Sequence, residues 1–469
     1  MRKPFSVLAA SLVLLVPLAA MGTPEKPRLT LDPSSAFQTV EHFGTSAAWW
    51  AQAVGTWPEA ELDRTVDLLF SREQGIGLSL VRYNLGGGKE GGAAIADPWR
   101  SASAPLRTST GFDWSPDAAA VRVVDKAVAL GAQVLVFANS PPASLTVTGL
   151  TTGNKAVSNL RPEARGAFAA YLADAVESLT ARGWPVVAVS PMNEPQWDWQ
   201  PSNGQEGSHD TPAEAHALLT ALAAEWRSRG LTTELSAIDS GEWKLGSNTA
   251  YLNEVWGDPA LRPLLTHYSV HSYWSETGDR RALAAFVAAK YPGLRLWQTE
   301  WTEMKGGRDV GMASALVLAK TVQDDLINGG VTSWQSWIAV SKYDYRDGLL
   351  YADEADQTVT ATKRLWALGN WSRFVLPGAR RIAATLSAAG RLTVSAFANP
   401  DGSLVAVLVN DSPQAREVGG LSAPGLAAPS ATSLAVWQTS AASDLEQVSA
   451  GPPGPFELAP YSVTTLVLR

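Results

Sequence analysis

Two glutamates carry the strongest chemical hint in the chain. Glu194 closes the apolar run Val186-Val-Ala-Val-Ser-Pro-Met-Asn-Glu-Pro195, and Glu300 closes Leu294-Arg-Leu-Trp-Gln-Thr-Glu-Trp301. Both runs read as β-strands. They lie roughly a hundred residues apart, or about three βα units at ~30 residues per unit of a (β/α)8 barrel. That spacing predicts both carboxyls on the C-terminal rim of one barrel. One carboxyl to protonate a leaving group and one to attack is the requirement for cleaving a glycosidic bond. The chain also holds 19 Trp against 11 Phe and 10 Tyr. A flat indole face with an N–H edge suits the C–H face of a sugar ring, although the same residues serve as core anchors.

The elements around the pair have the right rhythm. Val40–Thr45, Leu78–Tyr83, Gln133–Ala138, Val186–Met192, Glu234–Asp239, Tyr268–Tyr273, Leu294–Thr299 and Ser333–Ile338 are strand-like, with helical stretches between them. Thr56-Trp-Pro-Glu59 and Thr211-Pro-Ala-Glu214 have capping-box spacing, and Ser115-Pro116 opens a helix that stops at Gly131. Eight alternating units predict an α/β fold, a (β/α)8 TIM barrel over 41–375. The competing doubly wound sheet would need a Gly-x-Gly-x-x-Gly turn opening a helix, and Gly86-Gly-Gly88 has no such context. After Pro377-Gly378 the helical period disappears. Arg380–Leu386, Leu392–Ala398, Leu404–Asn410, Leu434–Thr439 and Ser462–Leu468 predict an attached C-terminal antiparallel β-sandwich over 376–469. Residues 23–40, with the strand Arg28–Leu31, are expected to join that sandwich.

Composition narrows the function classes. A net charge of −8 argues against a nucleic-acid partner, which needs clustered Lys and Arg. Residues 1–22 read as a signal peptide: Arg2 and Lys3, an apolar run from Phe5 to Leu18, then small residues. That run is too short for a membrane span, so a secreted protein is expected. The absence of cysteine leaves no disulfides and no thiolate metal site. The five His show no metal-binding spacing, and neither a metal nor another cofactor is expected.

Phe43-Gly-Thr-Ser46, Val81-Arg-Tyr-Asn84, Asn139-Ser-Pro-Pro142, Pro191-Met-Asn-Glu-Pro195, His271-Ser-Tyr273 and Thr299-Glu300 together resemble glycoside hydrolase family 30. Ala367-Leu-Gly-Asn-Trp-Ser-Arg-Phe-Val375 and Leu458-Ala-Pro-Tyr-Ser-Val-Thr-Thr465 extend the resemblance to nearly the whole chain after the leader. Thr45-Ser-Ala-Ala-Trp-Trp50, Trp197-Asp-Trp-Gln200 and Gln205-Glu-Gly207 are most similar to the endo-β-1,6-galactanase branch. The resemblance implies a retaining β-glycosidase with Glu194 as acid/base and Glu300 as nucleophile. It further implies that Arg82 and Tyr273 attend the nucleophile, that Asn193 holds the sugar 2-hydroxyl, and that Trp337 lines the catalytic subsite. Ionised Glu300 is expected to raise the pKa of Glu194.

Trp49, Trp50, Trp197, Trp199, Trp274 and Trp301 follow strand ends and read either as sugar platforms or as core. Trp337 is preferred to Trp334, which sits an odd step away on a period-2 strand. His271 reads as a rim residue or a structural histidine. Asp198, Gln205 and Glu206 are the candidates for contacts that recognise a galactose hydroxyl. One departure is Ala143-Ser-Leu-Thr146, where the family carries an aromatic pair, so a changed substrate wall is expected. The expected substrate is a β-1,6-linked galactan such as an arabinogalactan side chain, a polysaccharide or oligosaccharide bound by a monomer. The alternatives are a β-1,6-glucanase, a xylanase, a glucosylceramidase-like enzyme or a non-catalytic carbohydrate-binding protein.

Overall fold

The computed structural model describes residues 26–109, 111–424 and 433–469; the leader at 1–22 lies outside them. Eight parallel strands run in the order Glu234–Leu235, Val186–Ser190, Gln133–Phe137, Leu80–Asn84, His42–Ser46, Ser333–Ser336, Arg295–Glu300 and His267–His271. The two ends meet: Ser240 bridges Val270 in parallel, and Ser269 N–H donates to the Ala237 carbonyl at 2.9 Å. The sheet is thereby a closed (β/α)8 barrel. A helix follows each strand, from Glu59–Phe70 after the first to Lys363–Ser372 after the last.

Strand periodicity decides what points at the barrel axis. On Leu80–Asn84, Val81 and Tyr83 pack outward with the helices, while Leu80 joins Leu135, Ala188 and Trp297 in a small interior cluster. Arg82 shares the parity of Leu80 and so projects inward, higher up the axis. The Glu300 strand loses register against its neighbour between Gln298 and Glu300, a bulge-type irregularity that re-aims its last residue.

Helix starts follow local chemistry, with one correction. Thr211 and Glu214 form the expected reciprocal cap on Pro212–Arg229. Thr56 and Glu59 do not. Pro58 occupies the N-cap of Glu59–Phe70, the Thr56 hydroxyl donates to the Ala53 carbonyl at 2.7 Å, and Glu59 pairs with Arg122 and Lys126. A short helix, Ala51–Val54, ends just before Thr56 and offers that hydroxyl a nearer acceptor.

A second eight-stranded sheet carries the five C-terminal strands as read from the sequence, with identical bounds. The N-terminal strand Arg28–Thr39 belongs to it, antiparallel to Arg380–Leu386 and parallel to Gly420–Ser422. The two-stranded pair Arg416–Val418 and Phe456–Leu458 contributes Val418, Phe456 and Leu458 to the core on one of its faces. Leu404–Asn410 is buried throughout: Leu404, Ala406 and Leu408 enter that core, whereas Val405, Val407 and Val409 join the barrel core. The Ala367–Val375 motif makes the junction, with Trp371 Nε1 donating to Ser395 Oγ at 3.0 Å and Asn370 Nδ2 to Thr439 Oγ1 at 2.9 Å. Among the described residues no helix is long and apolar enough to cross a membrane.

Candidate active site

At the C-terminal rim of the barrel a cavity of about 1040 Å³ opens over Glu194 and Glu300. Aromatic residues Trp49, Trp197, Trp199, Trp274, Trp337 and Tyr343 dominate its wall. Glu194 sits at a positive φ of 47°, a left-handed conformation that costs about 1–3 kcal/mol for a non-glycine residue unless its surroundings hold it. Here its N–H donates to the Asp239 carbonyl at 2.9 Å, and Trp199 Nε1 donates to its carbonyl at 3.0 Å. An oxygen of each glutamate and a His271 ring nitrogen lie within 4.8 Å of one another. Among the described residues this is the one cluster whose donor atoms are close enough to hold a cation.

The two carboxyls have unequal surroundings. Glu300 Oε2 accepts from Arg82 Nη1 at 3.0 Å, and Oε1 accepts from the Tyr273 hydroxyl at 3.0 Å. Glu194 Oε1 faces His271 Nδ1 at 3.0 Å, and that imidazole is 3.7 Å from Glu300 Oε1. Burial holds the His271 pKa below its ordinary value, against the charges of Glu300 and Asp239, which favour the imidazolium. Burial likewise pushes Glu194 up to about 8, with the Asp239 charge adding to the shift and Arg82 opposing it. Glu300 is also raised by burial and by Glu194, against the pull of His271, Arg82 and the Tyr273 hydrogen bond. Arg82 and Tyr273 both favour the ionised form of Glu300, whereas the burial that lifts Glu194 to about 8 favours its protonated form.

Arg82 is the hub. Its guanidinium stacks 3.6 Å from the Phe137 ring centroid and also donates to Asn193 Oδ1 at 2.7 Å and Asp239 Oδ2 at 3.2 Å. Asp239 in turn accepts from Ser190 Oγ at 2.5 Å and Thr299 Oγ1 at 2.6 Å. Burial favours its neutral form, but Arg82, His271 and these hydroxyls outweigh that and hold its pKa low. Asp239 was missed from the sequence although a signal existed: it closes the apolar run Glu234–Asp239 as Glu194 and Glu300 close theirs. Arg100, Glu242, Lys244, Tyr343 and Asp347 also line the cavity and were missed, for they sit on loops without periodic pattern.

The other candidates divide. Trp49, Trp197, Trp337, Asp198 and Gln205 line the cavity, with Trp49 and Trp337 edge-to-face at 5.2 Å. Asn193 and His271 are buried beside the carboxyls. Trp50 is a correction: it is fully buried, its Nε1 donates to the Ser46 carbonyl, and it is core rather than platform. Glu206 is another. It is buried away from the cavity wall with Oε1 accepting from Gly87 N–H at 2.9 Å, so it anchors a loop instead of meeting a sugar. Trp301 packs against Trp334 and does not line the cavity, and Trp334 donates to Asp325. Ala143–Leu145 forms a 3-10 turn off the cavity wall, so the changed segment is no part of it.

The family model described as O-glycosyl hydrolase family 30 matches residues 26–351, and that of the family's β-sandwich domain matches 378–419. The chain belongs to O-glycosyl hydrolase family 30. It is a glycoside hydrolase. An endo-β-1,6-galactanase of Hypocrea rufa is 26% identical over 381 residues, 75% of each chain. A glucuronoxylanase of Bacillus subtilis is 24% identical over 332 residues, 70% of each. Among solved structures, a conserved exported protein from Bacteroides fragilis superimposes with a TM-score of 0.84 at 22% identity, covering 94% of this chain and all of that one. That likeness concerns the fold.

Proposed function

We propose that this family 30 glycosidase is a retaining enzyme in which Glu300 is the nucleophile and Glu194 the acid/base. The observation that carries the reading is the asymmetry of the pair: Arg82 and Tyr273 both hydrogen-bond Glu300, while Glu194 is buried beside the His271 imidazole with its pKa pushed up to about 8. The separation within 4.8 Å supports retention, since inverting enzymes leave about 6.5–9.5 Å for a water between their carboxyls.

In the first step a Glu300 oxygen attacks the anomeric carbon as the glycosidic C–O bond breaks, and the Glu194 proton goes to the leaving oxygen. Esterified Glu300 no longer carries charge, and ionised Glu194 takes a proton from the incoming water. The water oxygen bonds to the anomeric carbon, the ester bond breaks, and Glu300 leaves as a carboxylate received by Arg82 and Tyr273. Two inversions give net retention.

For substrate we propose β-1,6-linked galactan, hydrolysed outside the cytoplasm. The galactanase relative and the Trp197–Gln200 and Gln205–Gly207 segments support the glycan, and the leader-like residues 1–22 support export. Galactose and glucose differ at one hydroxyl, and Asp198 and Gln205 are among the cavity polars placed to read it. Leaving such a contact unpaired costs about 1–3 kcal/mol. The test is initial rates on β-1,6-galactan, β-1,6-glucan and glucuronoxylan. A clear preference for galactan is expected; comparable kcat/KM on β-1,6-glucan refutes the galactan assignment while leaving the retaining mechanism in place.

A further inference from the structure

Gly241 follows Ser240 after the fifth barrel strand, before the helix Leu245–Val255, and is buried beside the acid/base glutamate. A side chain there has no room. A Cβ built at 241 would lie 2.7 Å from Trp197 Nε1, 2.8 Å from Glu194 Oε1 and 3.2 Å from Gln196 Nε2. The indole nitrogen and the carboxyl oxygen thus border the same small slot beside this backbone. The Trp197 N–H is buried and makes no well-aligned hydrogen bond, yet it lies near enough to Glu194 to draw that carboxyl's pKa down. Its ring is braced by Trp274, edge-to-face at 5.8 Å, and its backbone N–H donates to the Glu194 carbonyl at 3.2 Å. Gln196, whose amide donates to Ser240 Oγ at 3.2 Å, closes the slot.

We propose that Gly241 is a positioning residue for the acid/base: its missing side chain keeps open the slot through which the Trp197 N–H engages Glu194 once that carboxyl is ionised. This rests on the assignment of Glu194 as acid/base. A protonated Glu194 does not need the indole donor, whereas the anion that awaits water does. The contact therefore serves the second chemical step and distinguishes Trp197 from a mere sugar platform. A donor beside a carboxylate oxygen lowers its pKa, which fits the pull that Trp197 exerts on Glu194 against burial.

The substitution Gly241→Ala fills the slot: the backbone at 241 is not left-handed, so the change acts through the crowding of its Cβ against Trp197 and Glu194 and not through backbone strain. Trp197→Phe removes the N–H while keeping a ring. On an activated aryl glycoside, which needs no acid in the first step, kcat reports the second step and kcat/KM the first. Both variants are expected to lose about tenfold in kcat, a small part of the roughly 10²–10⁴ that acid–base catalysis supplies, with kcat/KM changed far less. Azide, which attacks without a base, should restore kcat. If kcat and kcat/KM fall together and azide does nothing, or if neither changes, the inference is wrong. Glu194→Ala run alongside separates the two levels. Azide rescue of Glu194→Ala without rescue of these variants sinks only the role of Gly241 and Trp197; no rescue of Glu194→Ala sinks the acid/base assignment itself. Should Gly241→Ala fail to fold, Trp197→Phe carries the same outcomes.

Discussion

Tyr273→Phe is the sharpest way to perturb the nucleophile without disturbing its surroundings. The tyrosine is 5% exposed, its ring packed against His271 and Trp274, and its hydroxyl is, among the described residues, the one donor to Glu300 Oε1 apart from the more distant imidazole. Phenylalanine fills the same space and removes one hydrogen bond to a carboxylate. Such a bond is worth about 1.5–3 kcal/mol, or roughly 10–150-fold at ~1.4 kcal/mol per decade. Arg82 stays on Oε2, so Glu300 remains held. The loss appears where Glu300 carries full charge. Its pKa, already raised by burial, rises further without this donor, so the acid limb of the rate profile moves to higher pH. Release of Glu300 as a carboxylate in the second step slows by the same 10–150-fold. Stopped-flow and steady-state rates on an activated aryl glycoside across pH measure both. An acid limb that stays in place, with kcat within about twofold of the parent, refutes the claim that Tyr273 stabilises the Glu300 anion.

Three further outcomes follow from the geometry. Glu194→Ala should abolish activity on substrates with poor leaving groups and spare the first step on activated aryl glycosides; equal loss on both, measured as kcat/KM, rules Glu194 out as the acid. Truncation after Pro377 removes the strands that bury Val405, Val407 and Val409 against the barrel, so an insoluble product is expected on expression, and a soluble active fragment contradicts it. His42, at the opposite end of the barrel beside Trp297 and His267, has its pKa lowered to about 4, first by burial and then by the His267 charge. Its neutral form favours the fold above pH 6.5, and this contribution, roughly 3 kcal/mol, is lost as pH falls from 6.5 toward 4. Urea midpoints against pH should show a shallower acid slope for His42→Gln, and an unchanged slope contradicts the assignment.

The barrel was legible because each strand is a short apolar run ended by polar or turn residues and separated by helical periods. The fifth strand was overestimated: only Glu234–Leu235 pairs regularly, since Asp239 turns left-handed to meet Arg82. The strand Asp444–Gly451 left no trace because it lies at a sheet edge with most side chains in water, so it needs no hydrophobic pattern. Trp337 and Trp334 diverge as period-2 geometry requires, with Trp337 at the break before Ile338–Ser341. Trp50 and Glu206 expose the limit of such reading. Adjacency to a strand end gives proximity to the rim, but whether a side chain turns toward the cavity or the core depends on loops from several other units.

The most direct test of the account is to trap the glycosyl-enzyme with a fluorinated mechanism-based sugar and map the labelled peptide by mass spectrometry, reading the anomer of the first product by NMR. The account predicts a label on Glu300 and a product of retained configuration. A label on any other carboxylate, or an inverted product, contradicts it.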